Sequence, residues 1–179
     1  KNMIHATTKE KPITVLCELF YKYGADKCPQ IYHTYSPEYY NILKEYRNEY
    51  TNIIEIGVGT NEMMKPIAGD IYQIGASLKA WRDFFSNAMI YGLDIDKSVL
   101  FEEERIKCFY SDQSDEIQLD YTIYEIRKYK NDENLMFDLI LDDGSHILSH
   151  QILTFNALFK YISASFFSPR KFNTLPLRK

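Results

Sequence analysis

The chain has 179 residues, 45% hydrophobic and 26% charged, the balance of one soluble globular domain able to bury a substantial core. A net charge of −4 gives no sign of the clustered Lys and Arg that nucleic-acid phosphates require, and no apolar run approaches the roughly 18 residues that span a bilayer. A 15% share of aromatics argues against global disorder, while three widely spaced cysteines (Cys17, Cys28, Cys108) argue against a disulfide framework or a Cys-rich zinc site and suit a reducing cytoplasm.

The opening KNMIHATTKEK lacks the apolar core of a signal peptide. Residues 12–23, PITVLCELFYKY, carry apolar side chains at helical spacing behind a proline suited to a first turn. GADKCPQIYHTY reads as a loop. Ser36-Pro37 ahead of EYYNILKEYRNEY reads as a helix with Ser36 as its cap and Pro37 at its first position. These first 50 residues are expected to form a helical segment that packs on a core spanning 51–162. That core opens with NIIEIGVG, an apolar run closed by glycines, as in a buried strand feeding a turn. A loop with Pro66 and Gly69 follows. ASLKAWRDFFSN is then an amphipathic helix whose apolar positions are Leu78, Trp81, Phe84 and Phe85.

AMIYGLDID is a second strand and RIKCFYSDQSD a third, both ending in acidic or polar residues. EIQLDYTIYEIRKYK is a helix, LMFDLILDD a fourth strand and ILSHQILTFNALFKYI a last helix. This alternation predicts an α/β fold, a mostly parallel sheet with flanking helices. Right-handed crossovers bring the carboxyl ends of the strands to one edge, where open α/β sheets bind ligands. That edge gathers Glu55, Gly57, Gly59, Asp94, Asp96, Asp112, Asp142 and Asp143. Residues 163–179, SASFFSPRKFNTLPLRK, form a basic, irregular tail with no acid, and the sheet is expected to be incomplete at its C-terminal side.

Each motif has a plain reading beside a functional one. Gly57 and Gly59 permit a tight turn and close backbone approach to a ligand, though a short G-x-G also ends many ordinary strands. Glu62 stands where a third dinucleotide-loop glycine would fall, which disfavours a nicotinamide cofactor. Asp94, 37 residues after Gly57, is placed to accept from two ribose hydroxyls, whereas Asp96 reads as a turn residue. Asp112, Gln113 and Ser114 are suited both to reading an adenine edge and to entering a helix. Asp142 and Asp143 are hard oxygen ligands of the kind Mg²⁺ prefers, and His146 lies near enough to serve as a base. Taken alone, the same stretch is a strand end with a helix cap.

Together, GADK…YHTYSPEYY, IIEIGVG, GASLKAWRDFFSNAMIYGLDID, YSDQSD and FDLILDDGSHILSHQ resemble the metal-dependent sugar O-methyltransferases of macrolide biosynthesis, the mycinamicin and demethylmacrocin type, whose pattern cephalosporin hydroxylase-like proteins share. The likeness runs from about Gly24 to Ile162. It implies a class I S-adenosylmethionine-dependent methyltransferase with a Rossmann-like sheet, acting with Mg²⁺ on a hydroxyl of a sugar or similar small molecule. By the same resemblance, Glu55, Gly57 and Gly59 hold the methionine part of the cofactor and Asp94 its ribose. Asp112, Gln113 and Ser114 lie near adenine, Asp143 ligates magnesium, and His146 is the general base.

The family continues after the last helix with a strand ending in a Glu-Asp pair that completes its metal site, and residues 163–179 contain no acid. The metal site is therefore expected to be incomplete here, as in a truncated product, a fragment, or a compact variant completed by another chain. An unfinished sheet edge would invite pairing in a homo-oligomer. The alternative function is a catalytically degenerate or truncated cofactor-binding or interaction module, with an NAD-binding module a distant third.

Overall fold

The protein is described here from a computed structural model, over residues 12–163. The opening KNMIHATTKEK and, apart from Ser163, the basic tail lie outside the described residues. The elements run α1 (Val15–Tyr23), α2 (Tyr35–Leu43), β1 (Asn52–Ile56), α3 (Asn61–Ala68), α4 (Ala76–Phe84) and β2 (Met89–Asp94). They continue with β3 (Glu102–Glu103), β4 (Ile106–Tyr110), α5 (Glu116–Lys130), β5 (Leu139–Asp142) and α6 (Leu148–Leu158).

The strands form one sheet in the order β3-β4-β2-β1-β5. β1 lies parallel between β2 and β5, with Glu55 opposite both Gly92 and Leu141, and β2 pairs parallel with β4. The expected α/β sheet with flanking helices is therefore present. It also holds a strand the sequence did not announce: β3 pairs antiparallel with β4 through Glu102 and Glu103. Two exposed residues are too short for any alternation to register.

Alternation along β1 decides what each face carries. Ile53 joins the core under α1 and α4, with Phe20, Trp81, Phe84 and Ile90. Ile54 and Ile56 point the other way, into the core under α5 and α6 with Tyr91, Leu119 and Ile126. By the same period-two rule, Glu55 shares the face of Ile53. A carboxylate is thereby carried into the α1/α4 side of the sheet.

Several local expectations are corrected. Pro12 precedes α1 rather than opening it, because Thr14 caps the helix by accepting from the Cys17 N–H at 3.3 Å. Ser36 does not cap α2. It is buried inside the first turn and donates to Cys17 Sγ at 3.1 Å, pinning α2 to α1, and Pro37 follows it. The expected loop around Pro66 is the helix α3, capped by Thr60 and closed at Gly69. A proline sixth in an eight-residue helix removes one ladder bond, and only two residues follow it. Beyond α6 the chain returns to the sheet edge. Phe137 forms a parallel bridge with Ile162, donating to the Tyr161 carbonyl and accepting from the Ser163 N–H, each at 2.8 Å.

Cys17, Cys28 and Cys108 are buried free thiols, and no helix among the described residues is long and apolar enough to cross a membrane. α1 and α4 are tied by Asp83, which accepts from the Tyr23 hydroxyl at 2.6 Å and from Lys22 Nζ at 3.1 Å. Burial alone would raise the Asp83 carboxyl, but hydrogen bonds from Tyr23, Lys22 and Arg82 outweigh it and hold it below 3.8. A lowered carboxyl stabilises the fold above its unfolded pKa, and that contribution is lost as pH falls through the folded value. Melting temperatures of Asp83→Asn and wild type should therefore differ most at neutral pH and converge in acid. A pH-independent gap would contradict this assignment.

Candidate functional site

Three strand ends meet in a set of interlocked turns. After β1, Gly57 adopts φ +92° and donates to the Leu93 carbonyl at 2.8 Å. A Cβ at Gly57 would stand 2.3 Å from the Asp143 carbonyl oxygen, so the β1 and β5 turns touch through backbone. The Val58 N–H donates to Asp94 Oδ2 at 2.8 Å, and the Asp96 N–H to Oδ1 at 2.9 Å. Asp94 thus clasps the glycine turn and its own loop at once. Asp96, as expected of a turn residue, accepts from the Ser98 N–H at 2.8 Å.

Gln113, beyond the end of β4, is buried and fully engaged. Its Nε2 donates to both Asp142 oxygens at 2.7 and 2.8 Å, and its Oε1 accepts from the Ser145 N–H at 2.9 Å. The side chain therefore clamps the Asp-Asp-Gly-Ser loop. Asp112 accepts from the N–H and hydroxyl of Ser114, while Asp115, not Asp112 or Ser114, caps α5 through Ile117 and Gln118. Neither Asp143 nor Ser145 caps α6: its cap position is Ile147, whose N–H reaches Ser145 Oγ at 3.3 Å.

The electrostatic centre is a residue that the sequence reading left in a loop. Lys27, only 6% exposed, donates to Asp143 Oδ2 and stands 3.4 Å from Glu55 Oε1 and 3.9 Å from Asp26 Oδ1. Burial by itself would lower the Lys27 pKa, but the Glu55 and Asp143 carboxylates overcome it and raise it. Glu55 is fully buried, and neither of its oxygens has a hydrogen-bond partner. Burial pushes its carboxyl above the usual range, against the pull of Lys27. The sequence signals for Lys27 were its place in the GADK stretch of the resemblance and a charged Asp-Lys pair in a loop framed by helices.

Two cavities share Gly57, Gly59, Met63, Asp143 and Gly144 and so form one cleft across the strand ends. The 420 Å³ lobe is bordered by Leu93, Asp94, Ile95, Asp112, Gln113 and Ser114. The 480 Å³ lobe is bordered by Asp26, Lys27, His33, Tyr72, Ser77 and His146. The cleft thus collects Gly57, Gly59, Asp94, Asp112, Gln113, Ser114, Asp143 and His146, while Glu55 lies beneath it. An apolar lobe with acids beside an ionic lobe suits an elongated nucleoside that carries a zwitterionic end. A further 450 Å³ groove, lined by Leu139, Ile140, Phe155 and Leu158, lies along the β5 edge.

His146 is largely exposed, at φ +58°, with Nε2 3.9 Å from Asp143 Oδ1. His33 also faces the ionic lobe, 3.7 Å from Asp26 and stacked on Tyr35 with ring centres 4.6 Å apart. Among the described residues no group of three His, Cys, Asp or Glu side chains is placed to hold a metal ion. Asp142 is held by Gln113 and Asp143 by Lys27, so the donors present do not make up a magnesium site.

No family model matches the chain. It is 36% identical over 130 residues to demethylmacrocin O-methyltransferase of Streptomyces fradiae, covering 73% of this chain and 29% of that one. It is 37% identical over 130 residues to mycinamicin VI 2''-O-methyltransferase of Micromonospora griseorubida, with the same coverage. Against L-olivosyl-oleandolide 3-O-methyltransferase of Streptomyces antibioticus the identity is 32% over 160 residues, 89% of this chain and 37% of that one. The structure matches the MycE methyltransferase of the mycinamycin biosynthetic pathway, solved in complex with Mg and SAH. The TM-score is 0.65 at 35% identity, over 86% of this chain and 35% of that one. The chain spans about a third of the length of the relatives it matches. In sequence and in its Rossmann-like fold, it is a homologue of the macrolide sugar O-methyltransferases.

Proposed function

We propose that this chain binds S-adenosylmethionine and serves methyl transfer to a hydroxyl of a sugar or similar small molecule, in the cytoplasm. The observation that carries the reading is the continuous cleft over the β1 glycine turn, with Asp94 and Asp112 along one lobe and Lys27 and Asp26 along the other. MycE crystallised with Mg and SAH supports it, as does a second MycE complex that also holds mycinamycin VI. The buried free thiols support a reducing compartment.

S-adenosylmethionine, when bound, supplies a methyl group already activated by its sulfonium. Gly57 and Gly59 let the backbone approach the methionine end. Asp94 keeps lone pairs for ribose hydroxyls after accepting its two backbone bonds. Asp112 and Ser114 border the adenine side, and Gln113 acts there by fixing the loop, since its amide is already engaged. His146 takes the acceptor hydroxyl's proton, and Asp143 stabilises the imidazolium that results. The remaining contribution is alignment of oxygen, methyl and sulfur in the cleft. Magnesium, implied by the resemblance and held by MycE, would find Asp143 as its one candidate acid here, so no step is assigned to it.

A second reading, a cofactor-binding module without turnover, is favoured by the engagement of Asp143 with Lys27. Incubation with methyl-labelled S-adenosylmethionine and a glycosylated macrolide acceptor separates the two. The enzyme reading expects transfer, reduced about 10²-fold or more in His146→Ala. Absent transfer alongside intact cofactor binding would establish the module.

A further inference from the structure

α3 is attached to the body of the protein on one side only. None of its eight residues is buried, and the apolar side chains that pack on the core are Met64 and Ala68, one turn apart. Met63 and Ile67, the neighbouring pair at the same spacing, are 68% and 41% exposed. Both border the 480 Å³ lobe, and Met63 borders the 420 Å³ lobe as well. An apolar stripe therefore stands open to water at the seam between the two lobes.

The ends of this segment are held by one buried side chain. Tyr72 donates from its hydroxyl to the Gly59 carbonyl at 2.8 Å and from its backbone N–H to the Gly69 carbonyl at 3.3 Å. The excursion from Gly59 to Gly69 thus has clasped ends and a lightly held middle, the build of a segment that moves as a unit. Thr60 keeps that middle helical, since its hydroxyl oxygen accepts from the Met63 N–H at 3.2 Å.

We propose that α3 is a lid: when a nucleoside cofactor enters the cleft, the helix turns about the Tyr72 clasp and lays Met63 and Ile67 over the junction of the lobes. The proposal rests on reading the cleft as the cofactor site. Closure buries the apolar stripe against the ligand and slows its release. Methionine suits the leading position, because an unbranched thioether adapts its shape to what it covers.

The test is hydrogen exchange of the wild-type chain, free and with saturating SAH, beside the rates of SAH binding and release. In the free chain the α3 amides should exchange far faster than those of β1, and SAH should slow them at least about ten-fold. Met63→Ser should release SAH about five- to ten-fold faster at a nearly unchanged association rate. Ile117→Ser, which removes an exposed apolar side chain on α5 outside the cleft lining, should leave release unchanged. Bound SAH with unchanged α3 exchange would overturn the proposal, as would Met63→Ser that releases SAH at the wild-type rate. Absence of any SAH binding would sink the cofactor reading and the lid with it, a result distinct from SAH bound beneath an unmoved helix.

Discussion

Gly57→Ala should lower stability by about 3 kcal/mol and remove binding of S-adenosylmethionine. The residue sits at φ +92°, and its new methyl would fall 2.3 Å from the backbone carbonyl of Asp143. Backbone cannot give way as a flexible side chain can, so the β1 and β5 turns must separate. That separation opens the seam on which both lobes of the cleft depend. Gly69→Ala is the internal control. Gly69 also has positive φ, with ψ −149°, but nothing lies within 4 Å of its Cβ position, so backbone strain alone, about 2 kcal/mol, is expected, with cofactor binding kept. Urea melts of both variants, with cofactor titrations, check the pair. Equal losses would mean that contact with the β5 turn contributes nothing.

Lys27→Met should be comparably costly, about 3–5 kcal/mol, because removing one partner from a buried ion cluster leaves the others uncompensated. Glu55 is fully buried without a hydrogen bond, and Lys27 is the cation that faces it. The same exchange at Lys22, whose side chain is 58% exposed in its pair with Asp83, should change stability little, as exposed ion pairs usually do. Chemical denaturation of the two variants side by side measures the contrast. A Lys27→Met protein as stable as wild type would show that the cluster is no part of what holds β1 to the β5 turn.

The sheet was legible because its strands are short apolar runs ending in acids or glycines, separated by helices whose apolar faces repeat every three to four residues. α5 matches its sequence expectation residue for residue, since Asp115 and Asn131 mark its two ends. β3 was not legible, because two glutamates have no period. α3 was not legible because Pro66 and Gly69 both signal a break, yet Thr60 starts a helix short enough to tolerate the proline.

The site divides along the same line. Gly57, Gly59, Asp94 and Asp143 were visible because each sits at a strand end that topology brings to one edge. Lys27 stood in the GADK stretch of the resemblance, but its role was not legible, because its meaning lies in a bond to Asp143, 116 residues away, and a loop lysine has no local pattern that foretells burial. Gln113 was noticed as a possible reader of adenine. Its bonds to Asp142 and Ser145 make it a clamp on the neighbouring loop instead, a long-range fact of the same kind.

The central claim is that this cleft holds S-adenosylmethionine through the β1 turn and Asp94. Isothermal titration of the wild-type chain and of Asp94→Ala with SAH tests it most directly. Saturable one-to-one binding by wild type is expected, weakened at least about ten-fold in Asp94→Ala, which loses the ribose acceptor and the anchor of the Val58 amide together. Neither heat nor thermal stabilisation of wild type at saturating SAH would contradict the account.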